Sequence, residues 1–380
     1  MKLAIPKERR PGENRVAASP DTVKKLSALG FEVTVETGAG LGAAVSNDAF
    51  KTAGAKIAPD GAAAVKDADI VFKIQRPTAE EIAAMKKGAM VVAIMAPHND
   101  PDTVAACAKA GLTTVAMELM PRISRAQSMD VLSSQSNLAG YRAVIDAAGA
   151  FARAFPMMMT AAGTVAPAKA FVMGVGVAGL QAIATAKRLG AIVTATDVRR
   201  AAAEQVQSLG GKFIMVETEA DMETEGGYAK ELSPEDQKKQ AALVAEHIKS
   251  QDIVITTALI PGRPAPRLIT KEMVKSMKLG SVIIDLAVEA GGNVEGAKPD
   301  ETVEIDGVKV IGYSNMAGRV AVDASALYAR NLLNFIQPLV GAEADKPALK
   351  LDWEDEILKA VVLTRDGEIV HPDLAKGGGE

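Results

Sequence analysis

Short apolar runs alternate with amphipathic stretches along the first 119 residues of the chain. The apolar runs predict strands at residues 3–6, 31–36, 55–58, 70–74, 90–95 and 113–117. Four of the stretches between them carry helical patterns that begin after Ser19, Ser46, Thr78 and Asp100 and end before a glycine, which predicts helices. Strands that alternate with helices of about ten residues indicate a parallel sheet covered on both faces. The pattern therefore predicts a doubly wound α/β domain.

Residues 120–136 interrupt this alternation with arginine, glutamine, aspartate and serine side chains. Such a composition is typical of a polar linker. The segment also follows the C-terminal end of a predicted parallel strand, where ligands bind in this architecture, and its donors suit a carboxamide, a ribose and a phosphate. Both interpretations stay open here. From residue 137 to residue 155 helical spacing returns, which predicts a long crossing helix ended by Pro156.

The second half of the chain repeats the alternation. Strands are predicted at residues 170–173, 192–196, 212–216, 253–258, 282–286 and 308–311, and helices at residues 199–209, 235–249 and 271–277. Residues 319–335 again show helical spacing and predict a return crossing. We therefore expect a discontinuous N-terminal domain, residues 1–136 plus 320–380, and a second domain, residues 137–319. The predicted fold class is α/β, with two doubly wound, Rossmann-like parallel sheets and a cleft between them.

The strand at residues 170–173 runs directly into the turn Gly174-Val175-Gly176-Val177-Ala178-Gly179. Glycines at this spacing are a weak signal alone, because many loops use them only for backbone geometry. Here they open a helical pattern, and Asp197 closes the following strand eighteen residues later. In a dinucleotide site Gly174 permits the tight turn, Gly176 admits the pyrophosphate and Gly179 allows close packing, while the helix N-terminus binds the negative charge.

Asp197 indicates which dinucleotide binds. A carboxylate suits the adenosine ribose hydroxyls of NAD(H) and repels the 2′-phosphate of NADP(H). Arg199 and Arg200 follow closely, so NADP(H) stays open as the alternative. An ordinary βαβ turn that binds nothing is the third interpretation, and it explains the glycines but not the acid.

The composition narrows the classes of function. A chain of 380 residues suits about two or three domains, and its net charge of -4 gives no case for nucleic acid or an anionic membrane. Aromatic residues make up 3% of the chain, which is too few for base-stacking platforms. One cysteine, Cys107, excludes an intramolecular disulfide. No apolar run approaches the roughly 18 residues of a spanning helix and no secretory signal begins the chain, so we expect a cytoplasmic protein without direct membrane insertion.

Two further loops are candidates for ligand contact. Residues 217–236 form a long acidic stretch around a Gly-Gly-Tyr sequence, and loops of that length are usually disordered or act as lids. Residues 258–266 follow a predicted strand and contain three prolines. This second loop would form either a rigid turn or the wall of a nucleotide pocket.

Five segments together resemble one family. Residues 122–130, the Gly174 turn, residues 227–229, 259–262 and 284–292 are similar to the NAD(H)-binding subunits of proton-translocating NAD(P) transhydrogenases, in the superfamily that includes alanine dehydrogenase. The similarity covers essentially the whole chain. It implies a homodimeric subunit that binds NADH and passes hydride directly to NADP⁺ on an NADP(H)-binding partner subunit. A membrane-spanning subunit would couple this transfer to proton movement and hold the chain at the inner membrane.

The resemblance also assigns roles to residues. Gln127 matches the residue that reaches toward the second nucleotide, Tyr228 matches the tip of a mobile loop, and Tyr141 matches a tyrosine near the nicotinamide. The expected catalytic set, with no metal ligands, is Arg122, Gln127, Asp130, Ser133 and Tyr228. The expected cofactor contacts are Gly174, Gly176, Val177, Ala178, Gly179, Asp197, Val198, Arg199, Gly227, Gln240 and Leu259.

An enzyme like alanine dehydrogenase is the main alternative. Hydride transfer between two nicotinamides needs no general acid or base, whereas amino-acid oxidation does. The histidine of alanine dehydrogenase aligns near Ile94, and its catalytic aspartate aligns with Glu289. Arg15 and Lys73 match its substrate-holding pair, and we expect them to be structural. A third hypothesis is an NAD(H) sensor that signals to a partner without chemistry.

Overall fold

The protein is described by a computed structural model that covers residues 1–215, 234–260, 263–343 and 346–375. It divides into two compact units. The first, called the outer unit, comprises Met1–Gln135 and Gly318–Glu380, and the second, called the middle unit, comprises Ser136–Ala317.

Strands and helices alternate through the first 116 residues. The strands are β1 (Lys2–Ile5), β2 (Glu32–Glu36), β3 (Lys56–Ala58), β4 (Ile70–Gln75), β5 (Met90–Ile94) and β6 (Thr113–Ala116). The helices are α1 (Pro20–Ala28), α2 (Asn47–Thr52), α3 (Gly61–Val65), α4 (Ala79–Ala84) and α5 (Pro101–Lys109). Each of these helices begins at a polar side chain that accepts a hydrogen bond from a backbone amide, in the order Ser19, Ser46, Asp60, Thr78 and Asp100.

The middle of the chain begins with the long helix α6 (Val131–Ala150) and a hairpin of β7 (Met158–Thr160) and β8 (Gly163–Val165). Its further strands are β9 (Lys169–Met173), β10 (Ile192–Thr196), β11 (Lys212–Phe213), β12 (Ile253–Thr256), β13 (Val282–Asp285), β14 (Thr302–Ile305) and β15 (Val308–Ile311). Its further helices are α7 (Val177–Arg188), α8 (Ala202–Ser208), α9 (Pro234–Ile248) and α10 (Lys271–Lys275).

The C-terminal part returns to the outer unit. Its helices are α11 (Ala321–Ile336), α12 (Glu356–Val361) and α13 (Pro372–Ala375). Its strands are β16 (Val340–Glu343), β17 (Lys346–Leu349), β18 (Val362–Arg365) and β19 (Glu368–Ile369). Trp353, between β17 and α12, packs against the hydrophobic core of this unit.

Each unit is built on one doubly wound sheet. Among the described residues the outer sheet has the order β19-β18-β6-β5-β4-β1-β2-β3, and only β18 runs antiparallel to its neighbours. The middle sheet has the order β11-β10-β9-β12-β13-β15-β14, and only β14 runs antiparallel. In both sheets the first parallel strand lies in the interior and the chain winds outward to either side. The predicted fold class, two doubly wound α/β domains, is confirmed.

Both faces of each sheet are covered. Successive side chains of a strand point to opposite faces, so neighbouring residues of one strand are buried in different clusters. In β1, Leu3 and Ile5 belong to one buried cluster and Ala4 belongs to another. In β9, Val172 and Phe171 divide in the same way. Apolar runs in the sequence therefore correspond to strands that are buried on both sides.

The beginning of the long helix was predicted wrongly. It starts at Val131 and ends at Ala150, whereas the sequence predicted residues 137–155 and a polar segment up to residue 136. The carboxylate of Asp130 accepts a hydrogen bond from the amide of Ser133, which caps the first helical turn. Residues 133–136 are polar but helical, and the cap gives the Ser133 amide a partner that the first turn of a helix does not itself provide.

Other differences concern short elements. The predicted strand at residues 212–216 covers only Lys212–Phe213 among the described residues, and the helix predicted from residue 199 begins at Ala202. The sequence did not predict the two hairpins, β14, β18 or β19. These elements are short or lie at a sheet edge, where apolar periodicity is weak.

Among the helices of the described residues, none combines the length and the apolar character that a bilayer crossing requires.

Candidate functional site

The glycine-rich turn joins β9 to α7, at the edge of the middle sheet where the parallel strands have their C-terminal ends. Gly174 has a φ of 95°, and a Cβ at this position would lie 2.6 Å from Thr257 Oγ1. A Cβ at Gly179 would lie 1.9 Å from the carbonyl oxygen of Gly174. Apart from Gly176 and its two chain neighbours, no heavy atom of the described residues lies within 4 Å of the Cβ position of Gly176. The fold itself thus requires Gly174 and Gly179, while Gly176 leaves open space beside the turn.

The N-terminus of α7 presents backbone donors. Gly176 precedes the helix and provides no side-chain cap, and the amide of Leu180 makes a helical hydrogen bond to the Gly176 carbonyl oxygen. The amides of Val177, Ala178 and Gly179 come before that first bond, so they are the helix donors that an anion can use. The helix dipole adds a partial positive charge at the same place.

Asp197 follows β10 and lies beside the turn. One carboxylate oxygen accepts from the amide of Val175 at 2.7 Å, and the other accepts from the amide of Arg199 at 3.0 Å. The Arg199 guanidinium donates to both oxygens, at 2.9 and 3.0 Å. Because the carboxylate already accepts four hydrogen bonds, a ribose that binds there must replace donors of the Arg199 side chain.

These contacts also determine the charge of Asp197. Burial by itself would raise the pKa of this carboxyl group, but the hydrogen bonds from the Arg199 side chain and from the amides of Arg199 and Val175 outweigh it. The pKa of Asp197 is therefore lower than its ordinary value. Asp197 in turn neutralises Arg199, which makes this arginine a poor partner for a 2′-phosphate.

Helix α9 supports the same strand end. The side-chain amide of Gln240 donates to Thr196 Oγ1 at 2.9 Å, directly before Asp197. Two turns later His247 Nε2 lies 2.9 Å from Thr194 Oγ1. The helix is thus held against β10, with Gln240 next to the acid.

Leu259, another predicted cofactor contact, follows β12 and has 52% of its surface exposed. A residue that the sequence analysis missed, the fully buried Asn293, holds this segment. Its side-chain amide donates to the carbonyl oxygens of Ala258 and Pro266, and its oxygen accepts from the amide of Ala258. An asparagine directly after two glycines was the only signal, and its partners lie more than twenty residues away.

The polar loop, defined as residues 120–130, lies in the outer unit. It contains a 3₁₀ turn at Ser124–Met129, from which Ala126 and Met129 are buried in the core while Gln127 is exposed. Arg122 is also exposed. Buried apolar side chains therefore anchor this loop, while the side chains of Arg122 and Gln127 are exposed at its surface.

Asp130 and Ser133 form one hydrogen-bonded pair at the start of α6. The Asp130 carboxylate accepts from both the amide and the hydroxyl group of Ser133. This geometry gives both residues a capping role, which the sequence analysis did not predict. The pair lies at the end of the polar loop, so it also fixes where the loop ends.

Arg15 and Lys73 form a buried polar cluster elsewhere in the outer unit. Arg15, which is 4% exposed, donates to both carboxylate oxygens of Glu13 at 2.7 and 2.6 Å and to Gln135 Oε1 at 2.7 Å. Lys73, which is 1% exposed, lies 2.9 Å from Glu81 Oε1 and 3.4 Å from a carboxylate oxygen of Glu8. Internal carboxylates thus neutralise both cations.

Several predictions about site residues stay predictions. Tyr228 and Gly227 lie outside the described residues, as do most of the proposed lid and residues 261–262. Val198 and Tyr141 are described, and Tyr141 has 40% of its surface exposed. Within the described ranges, no group of three or more histidine, cysteine or acidic side chains could hold a metal ion.

Comparison with known proteins gives consistent matches along the chain. The family described as "Alanine dehydrogenase/PNT, N-terminal domain" matches residues 4–139, and the corresponding C-terminal domain matches residues 143–372. The chain is 61% identical to the first part of NAD(P) transhydrogenase subunit alpha of Rhodospirillum rubrum, over 100% of both chains. It is 31% identical to alanine dehydrogenase of Bacillus subtilis (strain 168), over 99% of this chain and 94% of the relative.

A solved structure also matches. The crystal structure of a transhydrogenase from Sinorhizobium meliloti superimposes with a TM-score of 0.86 at 54% identity, over 98% of this chain and 100% of that one. The match therefore extends over the elements of both units.

Proposed function

Because the chain belongs to the alanine dehydrogenase/PNT family, we propose that it is the NAD(H)-binding subunit of a proton-translocating NAD(P) transhydrogenase of the Re/Si-specific type. It passes hydride from NADH directly to NADP⁺ on a partner subunit and is active only with its partners. Full-length similarity to a relative named as one portion of a subunit alpha supports this proposal, since that name implies further components.

The single observation that carries the NAD(H) assignment is the turn at residues 174–179 with Asp197 beside it. The free space at Gly176 and the first amides of α7 suit a pyrophosphate. The ionised carboxylate of Asp197 suits two ribose hydroxyl groups and repels a 2′-phosphate. Both features favour NAD(H) over NADP(H) in the middle unit.

We assign the nicotinamide chemistry to residues of the polar loop and the start of α6. NADH supplies the hydride, and no proton moves at the reacting carbon, so the chain has to orient the ring and exclude water. Arg122 and Gln127 present polar side chains from an anchored loop. The Asp130–Ser133 pair is rigid, because the carboxylate holds both the amide and the hydroxyl group of the serine.

An amino-acid dehydrogenase is the second candidate, supported by the relative in Bacillus subtilis. The polar cluster argues against it. A substrate carboxylate would have to compete with Glu13 for Arg15 and with Glu8 and Glu81 for Lys73. In addition, Ile94 at the end of β5 supplies no proton-transfer group.

We propose the assembly from the resemblance to transhydrogenase alpha subunits. The chain forms a homodimer in the cytoplasm and is held at the inner membrane through a membrane-spanning subunit and the NADP(H)-binding subunit. Similarity to the alpha subunits of other transhydrogenases supports an assembly with further subunits.

One set of assays tests the function. The purified chain is given L-alanine with NAD⁺ in one reaction, and NADH with an NADP⁺-loaded partner domain in another. Hydride exchange that requires the partner supports the proposal. Oxidation of L-alanine would instead support the dehydrogenase, and NADH binding without either reaction would support a sensor.

Replacing Asp197 with alanine should weaken NADH binding by at least about tenfold, because a charged acceptor of two ribose hydroxyl groups is lost. The dissociation constant is measured by fluorescence titration. Asp252→Asn is the control, since the Asp252 side chain is similarly buried in the middle unit but binds the amide of Lys169 and the side chain of Lys278. Unchanged affinity in the Asp197 variant would remove this residue from the ribose site.

The pH dependence of NADH affinity gives a further prediction. Because the pKa of Asp197 is lowered, its carboxylate stays ionised below the ordinary aspartate value of about 4. Affinity in the wild type should therefore be flat from about pH 8 to pH 5 and should fall only when the pH drops through the lowered pKa. In Asp197→Asn this fall should disappear, and a fall that persists would show that another group titrates.

A further inference from the structure

Helix α11 carries two asparagines that bind one backbone oxygen of the polar loop. Asn331 and Asn334 are three residues apart, so they lie on the same side of the helix. The side-chain nitrogen of Asn331 donates to the Ser128 carbonyl oxygen at 2.9 Å, and that of Asn334 donates to the same oxygen at 3.0 Å. This oxygen belongs to the Ser128–Met129 peptide group, which lies one residue beyond the exposed Gln127.

Asn331 is fixed from its other side as well. It is 7% exposed, and its side-chain oxygen accepts from Ser134 Oγ at 2.8 Å. Ser134 lies in the first turns of α6, one residue after the Ser133 that binds Asp130. One asparagine thus connects α11, the polar loop and the helix that the loop leads into.

The loop needs such an anchor because it has little regular structure. Its 3₁₀ turn spans only Ser124–Met129, and such short turns have poor hydrogen-bond geometry. Ala126 and Met129 fix the two sides of Gln127 through apolar packing, which is not directional. The side-chain amides of Asn331 and Asn334 add directional contacts, which determine how the Ser128–Met129 peptide group is oriented.

We propose that Asn331 and Asn334 are positioning residues for hydride transfer, which hold the Ser128–Met129 peptide group and through it the short turn that carries Gln127. This inference rests on the proposed function. Transfer between two nicotinamides depends on apposition, and a displacement of about 1 Å can slow such a reaction about a hundredfold. The two asparagines act through the loop and touch neither nucleotide.

Asn334→Asp and the double variant Asn331→Ala/Asn334→Ala test the proposal in the complex with the NADP⁺-loaded partner. The aspartate keeps the shape of the side chain but replaces the donor by an acceptor that faces the Ser128 oxygen. Single-turnover hydride transfer should slow about tenfold in Asn334→Asp and about a hundredfold in the double variant. NADH affinity should stay within about threefold of the wild type in both, because the residues that hold the adenosine half are intact.

Asn47→Asp is the matched control. It makes the same change at another half-buried asparagine of the outer unit, whose side-chain nitrogen binds Thr37 Oγ1 instead of the polar loop. Hydride transfer and NADH affinity should both equal those of the wild type. Melting temperatures of all variants show that any loss of transfer in Asn334→Asp occurs in a folded protein.

Amide hydrogen exchange provides a readout that does not require transfer. Exchange at residues 124–130 should rise in Asn334→Asp and in the double variant, and it should stay unchanged in Asn47→Asp. Unchanged exchange there, wild-type transfer rates, or equal losses of transfer and NADH affinity would each overturn the positioning role while leaving the proposed function intact. If the wild-type complex transfers no hydride, the proposed function fails and the positioning role fails with it.

Discussion

Replacing Gly179 with alanine is expected to destabilise the middle unit severely and to abolish NADH binding. The new Cβ would lie 1.9 Å from the carbonyl oxygen of Gly174, a backbone atom that cannot rotate away. Helix α7 must therefore shift away from the turn, at a cost of about 3 kcal/mol or more. For a unit of this size, that cost corresponds to a fall in melting temperature of roughly 10 °C. Calorimetry and an NADH titration measure the two effects.

Gly176→Ala is the matched control for this prediction. Its φ is −79°, and apart from its chain neighbours no heavy atom of the described residues lies within 4 Å of the new Cβ, so the fold should keep its melting temperature. NADH affinity should nevertheless fall by about tenfold or more, because the methyl group occupies the space that a pyrophosphate needs. Normal NADH binding by Gly176→Ala would contradict a dinucleotide site at the turn. A wild-type melting temperature for Gly179→Ala would contradict the close packing of helix and strand.

Gln127→Asn is expected to produce the largest loss of turnover among conservative changes. It should slow single-turnover hydride transfer to the NADP⁺-loaded partner about a hundredfold, because shortening the side chain by one methylene group withdraws its amide from the reacting nucleotides. NADH affinity should change less than about threefold, since a group that acts mainly in the transition state contributes little to ground-state binding. Rapid-mixing absorbance measurements give the rate, and equilibrium titration gives the affinity.

Gln207→Asn serves as the control for Gln127→Asn, because this glutamine is also exposed but lies on α8 of the middle unit. Both quantities should be unchanged in that variant. Equal losses of transfer rate and NADH affinity in Gln127→Asn would assign the residue to binding and would remove it from the space between the two nucleotides.

Much of the fold could be predicted from the sequence because its signals are local. Apolar runs and helical spacing placed the central strands and most helices, and the order Gly174, Gly176, Gly179 followed by Asp197 pointed to the turn and the acid that the structure brings together. The start of α6 was missed for a local reason too. Only Val131 and Leu132 are apolar in its first two turns, which is too few to show helical periodicity, and the cap at Asp130 determines where the helix begins.

The sequence by itself determined the α/β class, the two doubly wound sheets and the position of the glycine-rich turn, since periodicity and turn residues act between close neighbours in the chain. Only the tertiary structure decided that Gly179 and Gly176 have different roles, because the difference depends on which atoms lie near each glycine. It alone showed that Arg15 binds Gln135, 120 residues away, and that Asn331 binds Ser128, 203 residues away. Contacts across such distances depend on how the packed elements meet, and no local pattern of residues encodes them.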